Sequence, residues 1–374
     1  MILSRHVWLL AGLCGLGAAQ TANMDIWAVD PSCDTHGSYL QDSFNQALEL
    51  ATEAQNSLNF ALNKRPDANK DPEAYKKWNR IAEAIRVTLG FAPSRSRDEG
   101  PGDANWSGAF DIFGKIVTGL QASQNSPPDG YVPKLKSRDG AKPRILCGDD
   151  AFEWIGPDDK IPGQSSTLMQ DSQFSRFFLE GAAGTWHNDA RLVWKREEKG
   201  KPVLCFPGLR AAVYFNYDLV TFCDRMFTDD RKSAPTPKSL REGDTIKAGD
   251  AIDSYARHLS VTVLHELTHW FGGLSNTADY NSAVIDDQTA VDYDGKFLYE
   301  PASGGARVAF KNELSAQDMK KQGLKRSKTY GRRDIWNLAR TGPKKSLKSA
   351  DSLTYFALMV YLDKWDWSRK GEAR

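Results

Sequence analysis

The stretch His265-Glu266-Leu267-Thr268-His269 decides how the rest of the chain is read. Residues four apart lie one turn above each other on a single helical face, so two imidazoles at this spacing can reach one metal ion. Glu266 cannot join them. It points beside the metal instead, where a carboxylate can take a proton from a bound water and hand it to a leaving amine. The spacing predicts hydrolytic chemistry with zinc (Zn2+) as cofactor, His265 and His269 as ligands, and Glu266 as proton shuttle.

Working outward, Ile252, Tyr255, Leu259, Val263, Leu264, Leu267, Trp270 and Phe271 recur at helical spacing. Gly272-Gly273 offers a stop that tolerates positive φ, so a helix is predicted over roughly 252–271. His258 shares its face but lies two turns from His265, about 10 Å along the axis, and is read as packing or as a support to the ligands, and not as a ligand itself.

At the other end of the chain, Arg5 and His6 precede an apolar run from Val7 to Leu16 and then the small residues Gly17-Ala18-Ala19. This pattern predicts a secretory signal peptide over 1–19, too short to span a bilayer, and hence a secreted, extracellular protein without a membrane segment. Cys14 would leave with it. Cys33, Cys147, Cys205 and Cys223 remain, and three disulfide connectivities are open to them. One joins Cys205 to Cys223 across a hairpin and Cys33 to Cys147. A four-cysteine structural zinc site is disfavoured because no Cys-x-x-Cys pair occurs. Asn105-Trp106-Ser107 is a glycosylation sequon.

Lysine and arginine total 49 against 48 acidic residues, a balance that argues against nucleic acid or an acidic polymer as the main partner. A protein or peptide substrate and a monomeric state are expected. Basic runs such as Lys320-Lys321 to Arg326 read as solvated surface.

The pattern predicts an α+β fold, mostly helical with a small mixed sheet. Residues 20–125 form a helical region, with helices near 38–62, 71–90 and 107–122, and 126–374 carry the catalytic part. Strands are predicted at 144–147, 191–194, 203–206, 212–215 and 219–222. A polar linker follows at 228–249. Residues 274–328 read as a long loop with at most short elements, and helices return at 334–339 and 349–365, the last with an apolar stripe.

A catalytic zinc needs a third protein ligand. The metzincin pattern fails because Ser275 stands where its third histidine belongs, and Glu313, a faint match to a thermolysin-type ligand, reads as surface. A better resemblance runs through Tyr330-Gly331, Leu338-Ala339 and Ala350-Asp351-Ser352-Leu353-Thr354-Tyr355-Phe356-Ala357. With HExxH, these residues resemble the aspzincins, secreted fungal zinc endopeptidases of deuterolysin and peptidyl-Lys type, mainly over 260–362. The resemblance implies a zincin-like fold, a Gly-Thr-x-x-Asp-x-x-Tyr-Gly segment supplying an aspartate ligand, and Tyr330 as a donor to the developing oxyanion.

The departure is that Ser327 aligns with the ligand aspartate. Ile285-Asp286-Asp287-Gln288 offers a replacement, with Asp287 favoured over Asp286 and Asp279 behind. The expectation is a secreted zinc endopeptidase. The alternatives are a secreted non-catalytic binding or effector protein that keeps the zincin fold, and a hydrolase of non-peptide amides.

Overall fold

A computed structural model describes residues 21–93, 104–121, 142–171, 175, 183–188, 191–193, 204–206, 208–214, 219–272 and 285–374, with backbone alone at 104–107 and 191–193. The expected signal peptide, Cys14, Gly273 and Asp279 lie outside the described residues, as does the side chain of Asn105.

Helix α1 (Gly37–Leu62) is amphipathic by direct reading: Leu40, Phe44, Ala47, Leu48, Ala51, Ala54, Leu58 and Ala61 recur every three or four residues, and all are buried. Each large side chain among them contributes roughly 1.5–3 kcal/mol on removal from water. Helix α2 (Pro72–Thr88) starts as its sequence predicts: the Asp71 side chain accepts the Ala74 amide, and Pro72 occupies the first turn. Helix α3 is Ala104–Gln121.

The histidine-bearing helix α4 is Leu259–Gly272, shorter than predicted. Residues Ile252–Tyr255 form a separate 3-10 turn. The break falls at His258, whose Nδ1 accepts the Ser260 amide at 3.2 Å and so satisfies an N–H that the first turn cannot. Helices α5 (Gly331–Thr341) and α6 (Ala350–Tyr361) follow. The α6 stripe is wider than expected, because every residue of this helix except Asp351 is buried. It packs against α1, α2, α4 and α5. The N-terminal helices and α4 thus share one hydrophobic core.

Four strands form a mixed sheet in the order β1 (Ala28–Val29), β2 (Arg144–Cys147), β7 (Leu219–Phe222), β6 (Ala211–Tyr214). The first three run parallel, and β6, at the end, is antiparallel to β7. The chain is therefore α+β with a small mixed sheet, as expected. Strands β3 (Glu153–Ile155), β4 (Thr185–Asn188) and β5 (Arg191–Val193) make a second, antiparallel sheet.

Two expectations are corrected. Leu204–Phe206 is bent and unpaired with any strand among the described residues, because Cys205 turns aside to bond Cys223. The supposed linker at 228–249 holds short helices at Asp229–Lys232 and Pro237–Glu242. Within 274–328, read as a loop with at most short elements, the short strands β8 (Phe297–Pro301), β9 (Val308–Phe310) and β10 (Leu324–Arg326) build a third sheet, with a helix at Ala316–Gln322.

Both disulfides, Cys33–Cys147 and Cys205–Cys223, are formed. The second brackets the β6–β7 hairpin, and the first ties the N-terminal segment to β2.

Candidate metal centre

On α4, His265 and His269 bring their Nε2 atoms to 3.1 Å from each other. Asp287 Oδ1 lies 3.2 Å from the first and 3.4 Å from the second. These three donors converge as a group able to hold a metal ion. The outer ring nitrogens fix the imidazoles: His265 Nδ1 meets Asp351 Oδ1 at 2.8 Å and His269 Nδ1 meets the Ile285 carbonyl at 2.9 Å. Both partners only accept, so each Nδ1 carries a proton, and in a neutral ring each Nε2 lone pair faces inward. Two lone pairs and a carboxylate oxygen with no hydrogen-bond partner among the described residues then meet at one point. Such an arrangement repels itself unless a cation or a shared proton lies between.

The electrostatics say the same. Burial would lower His265, but Asp287 and Asp351 on either side raise it well above the ordinary imidazole range. Burial would raise Asp287, yet His265 and His269 hold it well below the ordinary carboxylate range. A metal ion competes with that shared proton for the same lone pairs.

The return of the chain to α4 depends on Gly272. A Cβ there would come within 2.3 Å of Ile285 Cγ1, so only glycine lets Ile285 approach the helix end and present its carbonyl to His269. Gly272 is helical, so its role is close packing and not the positive-φ stop its sequence suggested. Gly331, in contrast, has φ +77° and turns the chain from Tyr330 into α5. Its amide donates to Asp351 Oδ2 at 3.0 Å.

Glu266 is buried and lines the same cleft, of about 610 Å³, as both histidines and Asp287. Burial, partly offset by the imidazoles, raises its carboxyl above the ordinary range. No hydrogen bond or ion pair engages it among the described residues. Tyr330, half-exposed as a residue, donates its hydroxyl to Asp287 Oδ2 at 2.7 Å. Burial and the Asp287 carboxylate raise this phenol above its ordinary range, so it remains a donor.

The other candidates stand apart. Asp286 is exposed, its carboxylate accepts the Asp287 amide at 2.8 Å, and it does not join the donor group. Its backbone bridges Ser349, which anchors the segment to the start of α6. His258 is buried against Ser260 and away from the donors, as read. Glu313 accepts from Lys345 at 2.7 Å and from Thr289 at 3.1 Å and is no ligand. Ser327 is buried, with its backbone paired to Leu298 and Ala290.

Ser327 does not enter the donor group, for a topological reason. Thr289 bridges Lys328 antiparallel, and the Thr329 amide donates to the Gln288 carbonyl at 2.8 Å, so residues 290–327 leave and return at one place. That pairing sets Tyr330 across from Asp287. Asp351 was given no role from the sequence. Two signals marked it: it is an acidic residue in the first turn of an otherwise apolar helix, and it lies in the Ala350–Ala357 stretch that carries the resemblance. No protein-family model, curated protein or solved structure matches the chain.

Proposed function

We propose that this protein is a secreted zinc-dependent endopeptidase of the aspzincin type. The observation that carries the proposal is the donor triangle with Glu266 beside it. Metal–ligand bonds of 2.0–2.1 Å in a tetrahedron put donor atoms about 3.3 Å apart. The separations of 3.1, 3.2 and 3.4 Å suit that set, and two imidazoles with one carboxylate is a donor combination zinc accepts. The antiparallel pairing of Thr289 with Lys328 adds support, since it brings Tyr330 within hydrogen-bond reach of Asp287. The non-catalytic alternative was motivated by Ser327 at the ligand position, and Asp287 beside both histidines favours the enzyme.

Zinc held by His265, His269 and Asp287 would polarise a scissile carbonyl and acidify water. Asp351 and the Ile285 carbonyl keep both rings in the ligating tautomer. Glu266 accepts a proton from the attacking water and passes it to the leaving amine nitrogen, a role suited to a carboxyl whose affinity for protons is raised. Tyr330 donates to the developing oxyanion, which requires its hydroxyl to swing from Asp287 Oδ2. Strand β6, the last of its sheet, lines the cleft and offers backbone groups to an extended peptide. Two disulfides suit an oxidising compartment, and no helix among the described residues is long and apolar enough to cross a membrane.

The test is zinc stoichiometry of the purified protein alongside cleavage of casein. One zinc per chain and cleavage are expected, with Glu266→Gln keeping the metal and losing at least ~100-fold in turnover. Undiminished turnover by that variant sinks the mechanism, and a protein that binds no zinc sinks the proposal.

A further inference from the structure

Three arginines line the cleft. Arg210 directly precedes β6 and its carbonyl accepts the Cys223 amide at 2.8 Å. Arg225 lies in the 3-10 turn Asp224–Met226, just past the same cysteine. The Cys205–Cys223 bridge thus fixes both positions. Arg257 precedes α4. All three side chains are exposed and line the cleft that contains His265, Glu266 and His269.

Among the described residues, carboxylates do little to neutralise them. Arg257 pairs with Asp230 at 3.0 Å, but both partners are more than half exposed. Arg210 and Arg225 have no hydrogen bond or ion pair through their side chains among the described residues. Behind them Arg231 is buried, donating to the Arg257 carbonyl at 3.0 Å. Burial, then the positive charges of Arg210 and Arg257, lower its proton affinity, partly offset by Asp230. Among the acids lining the cleft, Asp253 is bonded by Tyr355 and Arg332, Asp351 by His265 and Gly331, and Asp287 by Tyr330, while Glu266 is buried beside the histidines. Asp286, exposed, stands beside the metal ligand Asp287.

We infer that Arg210, Arg225 and Arg257 form a subsite for a substrate carboxylate, which makes acidic peptides the preferred substrates. The inference rests on the peptidase reading for turnover, though not for binding. Crowded guanidinium groups gain most from a carboxylate, which they hold with charge-assisted, often bidentate hydrogen bonds. A lysine side chain beside these arginines would meet like charge.

A glutamate or aspartate side chain and a free C-terminus present the same group. Fluorogenic peptides carrying Glu, Gln or Lys on either side of the cleaved bond, each with an amidated or a free C-terminus, separate these sources. Glu over Gln by ~10-fold or more in kcat/KM in amidated peptides assigns the side chain, and a preference for free termini alone assigns the chain end. Either preference should shrink at raised salt and vanish in the double variant Arg210→Gln, Arg225→Gln. The reversal Arg210→Glu, Arg225→Glu should favour Lys peptides. Equal cleavage of Glu and Gln peptides and of free and amidated termini, or a wild-type preference for Lys, overturns the inference while leaving the peptidase intact.

Fluorescence anisotropy of the labelled peptides on metal-free protein gives a second readout. Tighter binding of the Glu peptide or of the free terminus, lost in the double glutamine variant, supports the subsite even if no peptide is cut. Indifference to both carboxylates overturns it.

Discussion

Thr289 pairs with Lys328 across an isolated antiparallel bridge, which closes the mouth of the excursion formed by residues 290–327. Asp287 and Tyr330 are 43 positions apart in sequence yet share a hydrogen bond. Loop-closure cost grows only slowly with length, so a folded insertion between two halves of a site is tolerated when its ends are pinned. The excursion has its own sheet and is clipped at its base by Glu313, which binds both Thr289 and Lys345.

This pinning can be tested by replacing 290–327 with a short glycine-containing turn. The replacement also carries Asp334→Asn, since Arg307 would no longer pair with Asp334. Zinc stoichiometry should stay near that of the parent. A variant with its helical circular dichroism intact and its zinc lost would show that the excursion itself positions Asp287.

Asp287→Ala should weaken zinc retention against a chelator by ~100-fold or more, because two imidazoles alone seldom hold a catalytic zinc. Asp286→Ala should change it little, since that carboxylate lies outside the donor triangle. Equal effects of the two substitutions in a chelator competition would contradict the assignment.

Asp351→Asn should lower zinc affinity ~10–100-fold with little change in thermal stability, since the amide can still occupy the space but no longer holds His265 with a charge. Isothermal titration with zinc reads this directly. Unchanged affinity would mean that the ring is oriented by α4 alone.

His258 gives a pH dependence separate from the metal centre. Burial pushes its imidazole down to about 4, with the Tyr39 ring edge-on against it and Ser260 bonded to Nδ1. Because the folded state binds the proton more weakly than the unfolded chain, this contribution is complete above about 6.5 and is lost as pH falls from there towards 4. The full loss is about 3 kcal/mol at most. Denaturant midpoints measured through that range should fall with pH, and less steeply in His258→Gln. An equal slope in both proteins would assign the acid sensitivity elsewhere.

Residues whose role depends on local period were legible from the chain. The buried positions of α1, the Asp71-Pro72 opening of α2 and the i, i+4 histidines of α4 all follow from the geometry of a single helix. Errors arose where a distant contact overrode the local signal. Leu204–Phe206 has strand-like composition, but the bridge to Cys223 takes it out of the sheet. Glu153–Ile155 and Thr185–Asn188 are too short to show an alternation by themselves, and they are strands because they pair with each other.

The sequence alone determined that His265 and His269 share a face with Glu266 between them, because 3.6 residues per turn leaves no other outcome once the helix forms. It also narrowed the third donor to a few aspartates. Only the tertiary structure brought Asp287 to the histidines, supplied Asp351 to His265 across 86 positions, and gathered Arg210, Arg225 and Arg257 into the same cleft. The reason is physical: the first set of relations is fixed by backbone dihedrals within one element. The second exists only where glycine-permitted close approach, a disulfide and the closed base of an excursion bring separate elements together.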